Sequence, residues 1–437
     1  MAKLLEVREF DYITSNPDFA DDPRYKYLEP DAFQELIEFI DEFAVGEESS
    51  GALEFMNTKR VPNVGQVITV KNYVGLIQMK NGYQIQVLPK ISLASDDEGN
   101  RETKRVFLKM LRCMKDFPSK VFNSANLNVD KMNLYEIFIN MYLQEARQLV
   151  KRGIKSAYVG KEDNLKYYKG KLLTAQHVKT NLVHKERFYV AYDEFDPNRA
   201  ENRLVKSTLL KLQKLTSSAE NSKEIRQLLV AFEMVEPSLN YEKDFAKISI
   251  DRNTKDYEML MKWSKVFLFN KSFTTFSGKS TSRALLFPME SVYESYVAKK
   301  MKEIFTPEGW DVSTQDKGYY LFIEPQEQFA LRPDIVCTRN DRLIIMDTKW
   351  KRLVNNQKAN YGISQADMYQ MYAYSKKYGT SEIWLLYPLN DEMKGKDNIS
   401  FDSGDGTTVN VFFVDVANIE ESLEELNRRL DACAIYE

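Results

Sequence analysis

The stretch RPDIVCTRNDRLIIMDTKWK, residues 332–351, is the part of the chain that decides its fold. Two apolar runs flank the dipeptide at 340 and 341, Asn-Asp, which favours a tight turn, so the pattern predicts two antiparallel strands. In a hairpin symmetric about that turn, residue 338 pairs with 343 and residue 334 pairs with 347. Asp334 and Asp347 are therefore expected to face each other.

Two carboxylates in that arrangement need a positive charge between them. Cross-strand partners have Cβ atoms about 5 Å apart, and like charges at that distance are destabilising. A divalent cation removes the repulsion, and hard oxygen ligands with room for water and phosphate suit Mg²⁺, with Mn²⁺ as a substitute. The pair therefore predicts a metal site with Asp334 and Asp347 as ligands.

The residues that follow Asp347 add to this site. Because strand side chains alternate, Lys349 lies on the same face as Asp347, whereas Thr348 points away and offers its backbone carbonyl as a further metal ligand. In such a site the metal activates water and neutralises a phosphate. The Lys349 ammonium either acts on the nucleophile as a base or stabilises the charge of the transition state, and the sequence leaves these two roles open.

A D-x-K tripeptide also occurs on ordinary surface strands, where it forms an ion pair. Here Ile345, Met346 and the preceding IVC run place Asp347 at the end of a largely apolar sheet. An unpaired charge is expensive to bury there. The position therefore favours a functional site over a surface ion pair.

The elements around the hairpin are predicted in the order helix, strand, strand, strand, helix, strand. They cover a helix at 289–304, strands at 318–323, 334–338 and 343–349, a helix that ends at 378, and a buried strand at 382–388. Ser364 and Asp367 form a capping box for the second helix, and Gly379 stands where a left-handed residue ends it. A strand at 409–416 and a closing amphipathic helix at 418–430 follow.

Pro333-Asp334 followed by Asp347-Thr348-Lys349 resembles the PD-(D/E)xK nuclease superfamily. The resemblance implies an α/β nuclease domain with an αβββαβ core that cuts DNA with the help of Mg²⁺. In these terms Asp334, Asp347 and Lys349 are catalytic, and Asp334, Asp347 and Thr348 are metal ligands.

Three helix residues match further positions of the same superfamily. Glu294, in the run VYESYV, matches an acidic residue that serves as an additional metal ligand. Gln370 and Tyr374, in QMYAY, match the Q-x-x-x-Y signature of the RecB-like branch and share one helix face, from which they approach the metal or the DNA backbone. Alternatively, Glu294 is a solvated helix residue and the Gln/Tyr pair borders the core.

The whole chain is predicted to be an α+β multidomain protein. A helix at 31–43 and β-branched and aromatic alternation around Asn81-Gly82, the strongest short-range hairpin signal, predict a β-rich domain over residues 1–95. Helical spacing predicts a mainly helical middle domain, residues 96–270, which contains a basic segment at 147–187. Residues 271–437 form the α/β nuclease domain.

The resemblance to known sequences extends beyond the nuclease domain. YVGLIQMKNGYQIQVLPKI (73–91), KGKL (169–172), YDEFDPNRAENRLVK (192–206) and LLFPMESVYESYV (285–297) look like McrC-type sequences. The McrC family implies a two-component restriction system, in which a McrB-like AAA+ GTPase oligomer recognises modified DNA. This subunit would then stimulate the GTPase and cut double-stranded DNA.

Charge is distributed unevenly along the chain, although the net charge is only −3. Residues 1–50 hold fourteen acidic and four basic side chains, whereas residues 147–187 hold eleven basic and three acidic ones. The basic segment also contains Tyr158, Tyr167 and Tyr168, which predict either a phosphate-binding surface with stacking aromatics or a solvated face. The acidic first fifty residues repel phosphate, so residues 1–95 are expected to bind the partner protein instead.

Composition predicts a cytoplasmic protein. No run of eighteen apolar residues is present, and 29% of the residues are charged, which predicts no membrane partner. The start, MAKLLEVREFDY, has no apolar signal-peptide core. The three cysteines are scattered, which argues against a disulfide framework or a cysteine-rich zinc site.

Three functions are compatible with these patterns. The first is an active DNA endonuclease subunit, which the intact Asp334, Asp347 and Lys349 favour. The second is a catalytically silent adaptor that activates an AAA+ motor and keeps the fold as a scaffold. The third is a stand-alone repair nuclease of RecB-like type, which leaves the McrC-like first two thirds of the chain unexplained.

Overall fold

The structure is a computed structural model that describes residues 3–45, 56–79, 81–91, 97–115, 117, 132–252, 254–269, 283–396 and 398–433. The chain divides into two compact units. The insert unit is residues 118–271, and the main unit is residues 3–117 together with 272–437. The sequence separates a β-rich part at residues 1–95 from an α/β part at residues 271–437, whereas the structure places nearly all of both parts in the main unit.

In chain order the strands are β1 (Leu4–Arg8), β2 (Tyr12–Thr14), β3 (Tyr25–Tyr27), β4 (Met56–Val61), β5 (Gly65–Val70), β6 (Tyr73–Gln78), β7 (Gln84–Leu88), β8 (Ala157–Leu165), β9 (Lys171–Leu172), β10 (Phe188–Asp196), β11 (Arg283–Pro288), β12 (Asp311–Thr314), β13 (Tyr319–Phe322), β14 (Gln328–Leu331), β15 (Ile335–Arg339), β16 (Arg342–Thr348), β17 (Glu382–Pro388), β18 (Ile399–Asp402) and β19 (Thr408–Val414).

The helices are α1 (Pro30–Val45), α2 (Asp97–Leu111), α3 (Leu134–Arg152), α4 (Thr174–Thr180), α5 (Ala200–Leu215), α6 (Ala219–Ala231), α7 (Tyr241–Ala246), α8 (Glu258–Phe269), α9 (Met289–Phe305), α10 (Gln365–Tyr378) and α11 (Ile419–Cys433). Within the ranges that the structure describes, no helix has the length and apolar character needed to cross a membrane.

A four-stranded sheet joins the two chain segments of the main unit, residues 3–117 and 272–437. Its strand order is β1-β7-β6-β11. β6 and β7 form the hairpin predicted around Asn81-Gly82, and β11 pairs antiparallel with the other edge of β6. Gly75 makes this second pairing possible: its φ is +146°, and a Cβ atom there would lie 1.9 Å from the Leu285 carbonyl oxygen. This joint sheet is the reason that the β-rich part and the C-terminal α/β part form one unit.

A second four-stranded sheet, β3-β2-β5-β4, lies in the first 70 residues. The predicted helix at 31–43 is confirmed as α1. Its apolar residues recur at the helical spacing of three and four and are buried; they are Ala32, Phe33, Leu36, Phe39 and Ile40.

The largest sheet has six strands in the order β12-β15-β16-β17-β19-β18. β15 and β16 are antiparallel, whereas β16, β17 and β19 are parallel neighbours. Parallel strands need a crossover connection, and α10 provides it between β16 and β17. The buried side chains Ile345, Met371 and Leu385 belong to the apolar core that α10 shares with the sheet.

One predicted strand of the C-terminal α/β part is in a different place. The sequence predicts a strand at 318–323 as a member of the main sheet, but β13 instead pairs with β14 in a separate two-stranded sheet. On the edge of β15 that faces away from β16, the partner is β12, a strand that the sequence does not predict. Only Val312 of β12 is buried, so its polar sequence DVST carries no alternating apolar signal.

The insert unit is mainly helical, and the predicted helices in the middle of the chain are confirmed as α3, α5 and α8. Its apolar core includes Phe138 and Phe267, whose rings lie against Trp263. The basic segment spans the end of α3, β8, β9 and α4, and β10 pairs with both strands.

Candidate active site

The β15–β16 hairpin has the register predicted from its turn. Thr338 pairs with Leu343, and the pairing continues to Ile335 opposite Met346. One further step along both strands brings Asp334 beside Asp347. The two predicted carboxylates therefore meet at the end of the hairpin that is far from its turn.

Asp347 is a buried carboxylate, with 1% of its surface exposed. The Lys349 ammonium lies 2.5 Å from its Oδ2 atom, an ion-pair distance. Burial, and then the charge of Asp334, raise the pKa of Asp347 to about 7. Its ionised form is therefore held at a free-energy cost.

Asp334 is held by the strand that carries Asp347. Its Oδ2 atom accepts hydrogen bonds from the Thr348 backbone N–H at 2.7 Å and from the Thr348 hydroxyl at 2.6 Å. Burial raises the pKa of Asp334, although these two hydrogen bonds oppose the rise. The sequence predicts only a carbonyl ligand from Thr348, but the structure shows that its hydroxyl and N–H fix Asp334.

Lys349 connects the carboxylates to α10. Its ammonium donates to Gln370 Oε1 at 3.1 Å, and Gln370 Nε2 lies 2.7 Å from the Tyr374 hydroxyl as a donor. Burial lowers the pKa of Lys349, but the contact with Asp347 and the charges of Asp334 and Asp367 together outweigh burial, so the net pKa is raised. Gln370 therefore contacts the Lys349 ammonium directly, whereas Tyr374 is connected to it through Gln370.

The helix start that places Gln370 follows from the sequence. The Ser364 hydroxyl accepts from the Asp367 N–H as the predicted cap, and Gly379 ends α10 in the left-handed region with φ +68°. Lys351, two residues after Lys349, pairs with Asp367 at 2.9 Å. Sequence analysis did not single out Lys351, although the strand alternation 347, 349, 351 is a signal for it.

Glu294 lies near Asp334, but its carboxylate is bound by a different partner. Its Oε1 atom accepts from Gln315 Nε2 at 2.9 Å. Burial, and then the charge of Asp334, raise the pKa of Glu294. Gln315 has a φ of +51°, and its N–H donates to the Asp334 carbonyl at 3.0 Å. No sequence pattern marks this glutamine.

The residues fit a site in which two carboxylates hold a divalent cation. Within the described part of the chain, no three His, Cys, Asp or Glu side chains are arranged to hold a metal ion. A role for Glu294 as an additional ligand stays a prediction. Mg²⁺ commonly binds through one or two carboxylates and keeps water and substrate phosphate as its other ligands. The carboxylate of Asp347, buried beside that of Asp334, suits that arrangement.

The basic segment is less positive in the structure than in the sequence window. Lys161 lies 2.7 Å from both Glu194 and Asp196, which β10 brings opposite β8. Three tyrosines of the segment remain exposed: Tyr158, Tyr167 and Tyr168. The window 147–187 ends before β10 and so leaves out the acidic residues that neutralise part of it. A phosphate-binding role for this segment stays a prediction.

Comparison with known proteins places the chain in a class. A family model described as McrBC 5-methylcytosine restriction system component matches residues 68–388. That range covers more than half of the chain and includes the joint sheet and the site, so the class is that of restriction-system components. The chain belongs to the McrBC family, which confirms the family expected from the sequence.

The fold is also similar to solved structures. A chain of the refined half-complex from the tetradecameric assembly of Thermococcus gammatolerans McrB AAA+ hexamers with bound McrC matches with a TM-score of 0.70 and 17% identity, over 98% of this chain and 100% of that chain. The cryo-EM structure of the Thermococcus gammatolerans McrBC complex matches with a TM-score of 0.48 and 19% identity, over 69% of this chain and 88% of that chain. No curated protein matches the sequence.

Proposed function

We propose that this protein is the DNA-cleaving subunit of a McrBC-type restriction system, with a PD-(D/E)xK site that uses Mg²⁺ or Mn²⁺. The observation that carries the proposal is the meeting of Asp334, Asp347 and Lys349 at one end of the β15–β16 hairpin. Two adjacent carboxylates and an ammonium, buried together, are destabilising for the fold alone and suit phosphodiester hydrolysis.

Asp334 and Asp347 would hold the cation, with the Thr348 carbonyl as a further ligand. A divalent cation bound there supplies neutralisation of the scissile phosphate and acidification of a water molecule. The Thr348 hydroxyl and N–H orient the Asp334 carboxylate, so one of its oxygens is held in place while the other stays available.

Lys349 fits the role of electrostatic stabiliser better than that of a base. Its raised pKa keeps the ammonium protonated at neutral pH, and a protonated amine cannot accept a proton. Gln370 holds the ammonium in place through its Oε1 atom. In hydrolysis the water oxygen joins phosphorus and one sugar oxygen leaves. Lys349 is placed to stabilise the negative charge that develops on the phosphate.

A McrB-like AAA+ GTPase is the proposed partner. The family match extends from the joint sheet to β17, which supports a subunit of the two-component system over a stand-alone repair nuclease. The fold likeness to a chain of the McrB assembly with bound McrC supports the same partner. Because the basic segment is partly neutralised, the isolated chain is expected to bind DNA weakly and to show little site-specific cutting.

The test is a cleavage assay on modified and unmodified double-stranded DNA with Mg²⁺, with and without the AAA+ partner. Wild type with its partner should cut modified DNA, and Lys349→Ala should abolish cutting while GTP turnover by the partner continues. Wild type that never cuts while GTP turnover is stimulated would support the silent adaptor instead. Robust site-specific cutting by the isolated chain would contradict the division of labour.

A matched control separates loss of the site from loss of a buried carboxylate. Asp244 in the insert unit is also buried, and it forms an ion pair with Arg203 at 2.6 Å. Asp244→Asn makes the same chemical change as Asp347→Asn outside the proposed site. The Asp244→Asn variant should still cleave DNA, whereas the Asp347→Asn variant should not. Equal loss in both folded variants would refute the site.

A further inference from the structure

The residue after Lys349 is tied to the start of the chain. The Trp350 indole Nε1–H donates to both carboxylate oxygens of Glu9, at 3.0 and 3.1 Å. Glu9 has 0% and Trp350 has 4% of its surface exposed. A buried carboxylate that shares its two oxygens with one indole N–H fixes the position of that indole.

Glu9 is itself held by the joint sheet. Its N–H donates to the Leu88 carbonyl at 3.0 Å, which continues the pairing of β1 with β7. Its Oε2 atom accepts from the Lys90 N–H at 3.0 Å. Glu9 then enters a tight turn in which the Asp11 N–H donates to the Arg8 carbonyl at 3.1 Å. Backbone hydrogen bonds therefore hold the chain at Glu9 and in the turn that follows it.

Trp350 is held on its other side by the helix that carries Glu294. The Trp350 ring packs against Tyr293, with ring centroids 5.2 Å apart. The Lys349 N–H donates to the Leu386 carbonyl at 3.0 Å, at the end of the pairing of β16 with β17. Because one planar peptide joins Lys349 to Trp350, an indole that is fixed by Glu9 and Tyr293 limits the movement of the backbone from which the ammonium extends.

We propose that Glu9 is a positioning residue of the active site: by anchoring Trp350, it holds the Lys349 ammonium in place between Asp347 and Gln370. The inference rests on the proposed function. A role in packing alone would be served by an apolar side chain, since burying a carboxylate among three hydrogen-bond contacts costs desolvation free energy. The contacts instead direct the carboxylate to the residue that follows Lys349.

Glu9→Gln tests the inference with little change of shape. An amide oxygen in the place of Oε2 still accepts from the Trp350 and Lys90 donors, whereas an amide nitrogen in the place of Oε1 loses the other contact with the indole N–H. Replacing the outer partner of an active-site group commonly lowers activity by about 10- to 100-fold. We expect a fall of that size in kcat, with the KM for DNA unchanged, because the change affects the transition state rather than DNA binding.

Trp350→Phe is the second variant, because it removes the indole N–H and keeps an aromatic ring against Tyr293. It should lower kcat to the same extent as Glu9→Gln. The double variant should lose no more than either single one, since both remove the same contact.

The matched control is a second buried indole bond in the main unit. Trp310 Nε1–H donates to Asn427 Oδ1 at 3.0 Å, and the Trp310 ring lies over Arg339, near the turn of the hairpin and far from Asp347. Trp310→Phe should lower the midpoint of chemical unfolding by an amount similar to Trp350→Phe but leave kcat unchanged. Equal loss of kcat in both would assign the effect to general stability and overturn the inference.

A spectroscopic readout keeps the inference separate from the proposed function. The indole ¹H–¹⁵N signal of Trp350, assigned by its absence in Trp350→Phe, should move in Glu9→Gln and should respond to Mg²⁺ in wild type but not in Asp347→Asn. Wild-type kcat in Glu9→Gln and Trp350→Phe overturns the inference and leaves the nuclease intact. Wild type that never cuts overturns the nuclease, and an indole signal that then ignores Mg²⁺ overturns the inference as well.

Discussion

Asp347→Asn is expected to stabilise the metal-free protein while it abolishes DNA cleavage. The substitution keeps the shape of a side chain that is 1% exposed and removes its charge. A structural carboxylate would show the opposite change in stability, because its ionised form is normally favoured in the fold. The direction of the change therefore separates a functional carboxylate from a structural one.

The magnitude follows from the pKa of Asp347, which burial and then the charge of Asp334 raise from 3.8 to about 7. Each pKa unit corresponds to about 1.4 kcal/mol, so above pH 7 the ionised side chain destabilises the fold by roughly 4 kcal/mol. Asparagine removes this destabilisation but leaves Lys349 without its ion-pair partner. We expect a net gain of about 1–3 kcal/mol in the free energy of unfolding at pH 8.

The gain depends on pH in a defined direction. Because the folded-state pKa lies above the unfolded one, wild type loses stability as the pH rises from about 4 through 7, and Asp347→Asn does not. Below pH 4 the carboxyl is protonated in both states, so the difference between the two proteins should vanish. The comparison must be made in EDTA, since a bound cation stabilises wild type.

The assay is chemical unfolding at pH 8 and pH 4 in EDTA, together with DNA cleavage in Mg²⁺. Cleavage should fall by about a thousandfold or more. Asp244→Asn should change stability in the opposite direction. Burial raises the pKa of Asp244, but the hydrogen bonds and charges of its neighbours, Arg203 first among them, together outweigh burial and lower the pKa. An Asp347→Asn variant that is less stable than wild type at pH 8 would refute the buried repulsion, and unchanged cleavage would refute the site.

Three further outcomes are expected. Gln370→Leu removes the acceptor of the Lys349 ammonium and should lower single-turnover cleavage about tenfold, and an unchanged rate would contradict its positioning role. Gly75→Ala should prevent folding of the main unit, as monitored by protease resistance, since its Cβ would meet a carbonyl at 1.9 Å; a wild-type pattern would disprove this. Burial raises the pKa of Glu9 from 4.5 to about 8, so wild-type stability should fall as the pH rises from 5 through 8, and Glu9→Gln should flatten that slope. Glu9 lines a small cavity together with Lys90, Lys351 and Arg352, and an identical slope in both proteins would show that another group titrates.

The parts of the site that the sequence predicts are those that local patterns determine. A turn dipeptide and the period of two fix the register of β15 and β16, so Asp334 could be placed beside Asp347. The i,i+4 spacing and the capping box place Gln370 and Tyr374 on one face of α10.

The parts that the sequence does not predict depend on distant pairings. Glu9 and Trp350 are 341 residues apart, and neither stands in a recognisable motif. Gln315 reaches Glu294 from a backbone conformation with positive φ, which a glutamine does not signal. The pairing of β6 with β11 likewise has no local pattern, so a division by composition separates two segments that share a sheet.

The joint sheet also sets an order of events during synthesis. β6 ends at residue 78, but its partner β11 begins at residue 283, so the ribosome makes the whole insert unit before that edge of β6 can pair. Domains generally fold as they emerge, whereas an unpaired strand edge can recruit strands of other chains. A nascent chain therefore carries an open edge for the time needed to add about two hundred residues, roughly 10 to 40 seconds at 5–20 residues per second. Slower translation at low temperature lengthens that interval, and a chaperone that covers the edge should raise the yield of folded protein.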